Sequence, residues 1–80
     1  MSRIYKVEVY IDEKLFCHSY IDGCSVSDVV EYLVELGEFN DYKIDPKEIA
    51  NCRSLTKINR LLPKNIRYNI KRESKNEILL

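Results

Sequence analysis

The 80 residues contain no tryptophan, one histidine, one methionine, two glycines and two prolines. With so few Gly and Pro, the chain has little room for long flexible linkers. The lone histidine, His18, is more often a surface residue than a base or a ligand. No serine, cysteine or lysine forms a visible partner set with it, so no catalytic residue and no enzyme activity are expected. Cysteine is also scarce. Cys17, Cys24 and Cys52 are odd in number, which argues against a closed disulfide framework. Their spacing fits no common zinc or iron–sulfur pattern, so no metal and no cofactor are expected.

Long apolar runs are missing too. None approaches the ~20 residues that cross a bilayer, and the first residues, MSRIYKVEVYIDE, lack the apolar stretch of a secretory leader. The expectation is a cytoplasmic chain that does not act at a membrane. Acidic residues are absent from Ile49 to Arg72, where Arg53, Lys57, Arg60, Lys64, Arg67, Lys71 and Arg72 all fall. The whole chain still balances 13 basic against 13 acidic residues. Residues 1–40 hold three cations and eight carboxylates, so the two halves carry opposite charge.

What is present reads as one small globular domain. Hydrophobic residues make up 45% and charged residues 32%. Ile4 to Ile11 alternates, with Tyr5, Val7, Val9 and Ile11 on one side and Ile4, Lys6, Glu8 and Tyr10 on the other. Leu15 to Ile21 alternates again, with Leu15, Cys17, Ser19 and Ile21 against Phe16, His18 and Tyr20. A three-residue loop at 12–14 keeps every cross-strand pair on a common face, setting Ile11 opposite Leu15 and Tyr10 opposite Phe16.

Ser25 can cap a helix over 26–36, whose stripe is Val26, Val29, Val30, Leu33 and Leu36, with Gly37 closing it. Tyr42-Lys43-Ile44 reads as a short strand, and Asp45-Pro46 opens a short helical turn. Residues 53–62 read as helix behind Ser54, stopped by Pro63. Ile66 to Lys71 alternates as a last strand, expected to be central. Residues 1–72 are then the domain and 73–80 a tail with an apolar Ile78-Leu79-Leu80 ending.

The order hairpin, helix, irregular middle and final strand resembles the α+β β-grasp, the ubiquitin-like fold. GCSVSDVVEYLVELG, Gly23 to Gly37, and LLPKNIRYNIKR, Leu61 to Arg72, are similar to stretches of small bacterial proteins related to sulfur carriers. The resemblance implies a last strand beside the first and one face of the sheet left open. Sulfur carriers and conjugated modifiers end in Gly-Gly, and here no glycine follows Gly37. The implied role is therefore the non-conjugating, partner-binding use of that fold.

On such a sheet the open face displays Ile4, Lys6, Glu8 and Tyr10, then Phe16, His18 and Tyr20, then Arg67, Asn69 and Lys71, of which Lys6, Tyr10, Phe16, His18, Tyr20, Arg67 and Lys71 are the candidate contacts. Aromatics mixed with arginine suit the centre of a protein interface, although cross-strand pairing alone can also place them together. The expected function is a protein-binding module, an adaptor or inhibitor of a larger protein with an acidic surface. The Ile-, Lys- and Asn-rich composition suits an AT-rich bacterial, phage or mobile-element genome. The alternative is a nucleic-acid-binding regulator. Arg53, Lys57, Arg60 and Lys64 step by four, three and four, so on a helix they would form one stripe of phosphate contacts. Against it stands a sequence pI near 6.6.

Overall fold

The structure, a computed structural model, describes residues 3–73. Six elements follow one another: strand β1 (Arg3–Ile11), strand β2 (Lys14–Gly23), helix α1 (Val26–Leu36), helix α2 (Pro46–Ala50), helix α3 (Leu55–Leu61) and strand β3 (Ile66–Glu73). The strands form one sheet in the order β2-β1-β3. Both pairings to β1 are antiparallel, so β2 and β3 run parallel with β1 between them. The three helices supply the long crossover that such a parallel relation requires.

The last strand does lie beside the first, but β1 is the central strand and β3 an edge, contrary to the expected central position of Ile66–Lys71. The first and last strands run antiparallel, from Ile4 opposite Glu73 to Ile11 opposite Ile66. Tyr42-Lys43-Ile44 forms no strand among the described residues. Glu73, expected in the tail, pairs with Ile4 inside β3, and 74–80, including Ile78-Leu79-Leu80, lie outside the described residues.

The hairpin corrects the expected loop. Ile11 pairs with Lys14 across a two-residue turn in which Asp12 and Glu13 have φ of 53° and 66°. Positive φ at both central positions is the primed turn whose twist matches a hairpin. Two residues rather than three would put β2 on the wrong face. A bulge restores the parity: the register changes between Val9↔Cys17 and Tyr10↔Leu15. Phe16 is the extra residue, so Leu15 and Phe16 together face Tyr10. Leu15 therefore leaves the helix-facing row in which alternation had placed it. From Cys17 onward the expected pairs hold, with Val7 opposite Ser19, Glu8 opposite His18 and Lys6 opposite Tyr20.

Helix α1 begins and ends on the expected signals. Ser25 Oγ accepts the Asp28 N–H at 3.3 Å, and Asp28 Oδ2 accepts the Cys24 N–H at 3.0 Å. Gly37 takes the left-handed conformation at φ 79° and returns its N–H to the last turn. Asp45 caps α2 through the Lys47 N–H at 2.9 Å, and Pro46 stands in its first turn. Ser54 occupies the cap position of α3 without a side-chain bond.

All three helices lie on one side of the sheet, where the core forms. Val7 and Val9 of β1 and Tyr68 of β3 meet Val29, Val30 and Leu33 of α1, Ile58 of α3, Phe39 and Leu62. Each fully buried aliphatic chain contributes about 1.5–3 kcal/mol. The Phe39 ring lies 5.0 Å from that of Tyr68. Burial, followed by a hydrogen bond with Tyr42, pushes the Tyr68 phenol far above its usual range. The apolar stripe of α1 is only partly covered, because Val26 and Leu36 remain exposed. A three-stranded sheet is too narrow to cover both ends of the helix, and β2 is exposed along almost its whole length.

Candidate functional site

Side chains alternate across the pleat, so β1 sends its other row to the side of the sheet away from the helices. Beyond an end rank of Asp22, Ile4 and Glu73, three ranks cross that face. Tyr20, Lys6 and Lys71 form one, His18, Glu8 and Asn69 the next, and the Leu15–Phe16 bulge, Tyr10 and Arg67 the third. Every candidate contact residue of the open face, namely Lys6, Tyr10, Phe16, His18, Tyr20, Arg67 and Lys71, belongs to this grid.

At its centre is a residue that alternation did not single out. Glu8 is only 4% exposed although it points away from the core. Its neighbours on three strands cover it and also satisfy it. Asn69 Nδ2 donates to Glu8 Oε1 at 3.0 Å, Lys71 Nζ lies 3.5 Å from the same oxygen, and Lys6 Nζ lies 3.9 Å from Oε2. The Asn69 hydrogen bond holds the carboxyl below its usual range. Burial opposes this, and Lys71 and Lys6 reinforce it. Lys6 and Lys71 thus stand on either side of a buried carboxylate. His18, directly opposite Glu8, turns its ring edge toward Tyr20 instead, at 5.7 Å between centroids. In the third rank the Arg67 guanidinium stacks over the Tyr10 ring at 4.3 Å.

The aromatic part of the face is concentrated on β2. Phe16 is 70% exposed, Leu15 49% and Tyr20 47%. The other large hydrophobics exposed among the described residues, Val26, Tyr32 and Leu36, all lie on α1. None lies on β1, β3, α2 or α3. Tyr32 and Leu36 occupy one flank of α1, while Val34 on the opposite flank packs against the core. A hollow of about 160 Å³ between this helix and β2 is lined by Val7, Val9, Cys17, Ser19 and Leu33, among others.

The expected basic stripe is not one surface. Helix α3 begins at Leu55, so Arg53 lies outside it and turns back. Its guanidinium donates to the carbonyls of Ala50 and Cys52 and lies 3.9 Å from Glu31 on α1. Arg53 thus leaves the stripe and lies near the acidic face of α1. Lys64 falls in the turn before β3. Only Lys57 and Arg60 come together, beside a cleft of about 330 Å³ that they share with Glu48, Asn51, Cys52 and Leu61. A carboxylate in that lining works against a phosphate track.

Cys17 and Cys24 are exposed thiols and Cys52 is buried, its Sγ donating to the Glu48 carbonyl at 3.3 Å. Among the described residues no three His, Cys, Asp or Glu side chains are grouped to hold a metal ion. No helix there is long and apolar enough to cross a membrane. No family model, curated protein or solved structure matches the chain.

Proposed function

We propose that this chain is a small protein-binding module, an adaptor or inhibitor of a larger protein, that docks through the open face of its sheet. One observation carries the reading: Leu15, Phe16 and Tyr20 are exposed on the same three-stranded surface as the cations Lys6, Lys71 and Arg67. Large apolar side chains gathered on one surface of a small domain mark an interaction site. Interface centres favour aromatic residues with arginine, and the cation–π pair of Arg67 and Tyr10 prearranges such a unit. The cations that rim Glu8 suit a partner whose contact surface is acidic. The reading does not depend on kinship with ubiquitin-like proteins.

The test is capture from an extract of the source organism with the immobilised chain, with and without nuclease. The triple variant Tyr10→Ala, Phe16→Ala, Tyr20→Ala is expected to lose a protein that the wild-type chain retains, with an unchanged circular dichroism spectrum. Equal retention by the folded triple variant would remove the proposal. The nucleic-acid reading is disfavoured by the dispersal of Arg53, Lys57, Arg60 and Lys64. It requires retardation of DNA or RNA at low salt that fades steeply as salt rises.

A further inference from the structure

The two edges of the sheet are finished differently. On β3, Asn59 of α3 imitates a neighbouring strand. Its Nδ2 donates to the Tyr68 carbonyl at 3.0 Å and its Oδ1 accepts the Tyr68 N–H at 2.9 Å. The backbone groups of Tyr68 therefore point away from β1. Antiparallel strands alternate inward and outward pairs, so those of Val9, opposite Tyr68, point toward β2 and engage Cys17. Ser19 and Ile21 face inward with Cys17. His18, Tyr20 and Asp22 then aim their N–H and C=O off the free edge of β2, and no described residue bonds them.

An open edge this long is a template for another strand, and the order of residues on β2 indicates which. We propose that the β2 edge pairs with the β2 edge of a second copy, antiparallel and centred on His18, joining two three-stranded sheets into one. A twofold axis through His18 sets Phe16 against the partner's Tyr20, and Cys17 against the partner's Ser19, each twice. Phe16 and Tyr20 share the open face, so the paired rings form an aromatic cross-strand couple. Centring on Ser19 would instead set Phe16 against the partner's Asp22. Centring on Cys17 would run Tyr20 into the bulged end at Lys14. Pairing at the edge leaves both open faces exposed, so two docking faces become one continuous surface with Phe16 and Tyr20 of each copy at its middle.

The inference rests on the edge and not on the proposed docking role. Sedimentation equilibrium of the full chain, across about 10 μM to 1 mM, is expected to show twice the 9.5 kDa chain mass. Phe16→Glu and Tyr20→Lys are each expected to weaken association at least tenfold. Mixed in equal amounts they are expected to form a heterodimer, because one Glu–Lys pair and one Tyr–Phe pair then meet. His18→Pro, which removes an outward N–H at an edge where proline is tolerated, is expected to give a folded monomer. A wild-type chain that stays at 9.5 kDa overturns the proposal. So does a dimer that survives His18→Pro, or a mixture that fails to recover. Dimerisation only after removal of residues 74–80 would assign the edge to that segment and overturn it as well.

Discussion

Asn59 offers the sharpest test of how β3 is held. The side chain sits on α3, half-buried, and carries both free backbone groups of the buried Tyr68. Asn59→Ala removes two hydrogen bonds, each worth about 1 kcal/mol net, and leaves a donor and an acceptor unpaired beside the core, which adds about 1 kcal/mol. Alanine returns roughly 0.6 kcal/mol of helix propensity. The net loss is about 2 kcal/mol. In a domain of this size that lowers the melting temperature by roughly 8–16 °C. Asn59→Asp keeps the acceptor for the Tyr68 N–H but sets a carboxylate against the Tyr68 carbonyl, so it is expected to lose at least as much. Urea denaturation and thermal melting followed by circular dichroism measure both. If Asn59→Ala were neutral or stabilising, as it would be at an unattached helical position, the strand-mimic role would be refuted.

Three further outcomes follow from the same reasoning. Glu8 has a folded-state pKa below its unfolded value, so its contribution is present above the unfolded pKa and is lost as pH falls through the folded one. Glu8→Gln is expected to be less stable at neutral pH and to lose less than wild type between pH 7 and pH 3, and parallel urea titrations would contradict this. The turn residues Asp12 and Glu13 hold positive φ without glycine, so Asp12→Asn with Glu13→Gly is expected to stabilise the hairpin by about 1 kcal/mol. An unchanged urea midpoint would count against that turn. Gly37→Ala is expected to cost about 1–2 kcal/mol, because φ is +79° and a Cβ would approach Asn40 Nδ2 to 2.6 Å. A melting temperature equal to wild type would exclude that conformation.

Much of the fold is legible in the chain because its signals are local. Alternation places both strands of the hairpin, and Ser25 and Gly37 bound α1 at the observed residues. Pro46 and Pro63 bracket the two short helices. What escapes sequence reading is long-range. The bulge at Phe16 is invisible to a parity argument, since a three-residue loop without a bulge gives the same register from Cys17 onward. Phe39, in an irregular segment with no periodicity, is buried against Tyr68, 29 positions away. Glu8 reads as an ordinary exposed carboxylate until Asn69 and Lys71 are brought beside it by β3. The residues of the open face were legible as a row on each strand, whereas their ranks across three strands depend on the antiparallel placement of β3. The basic segment misled because charge spacing alone does not reveal that the helix starts after Arg53 or that Glu31 and Glu48 stand among the cations.

On the proposed function the open face, and not the α3 side, meets the partner. Lysine footprinting of the chain alone and with its captured protein tests it in one experiment, by acetylation followed by mass spectrometry. The account expects Lys6 and Lys71 to become protected while Lys57 and Lys64 react as before. Protection of Lys57 and Lys64 with Lys6 and Lys71 unchanged would contradict it.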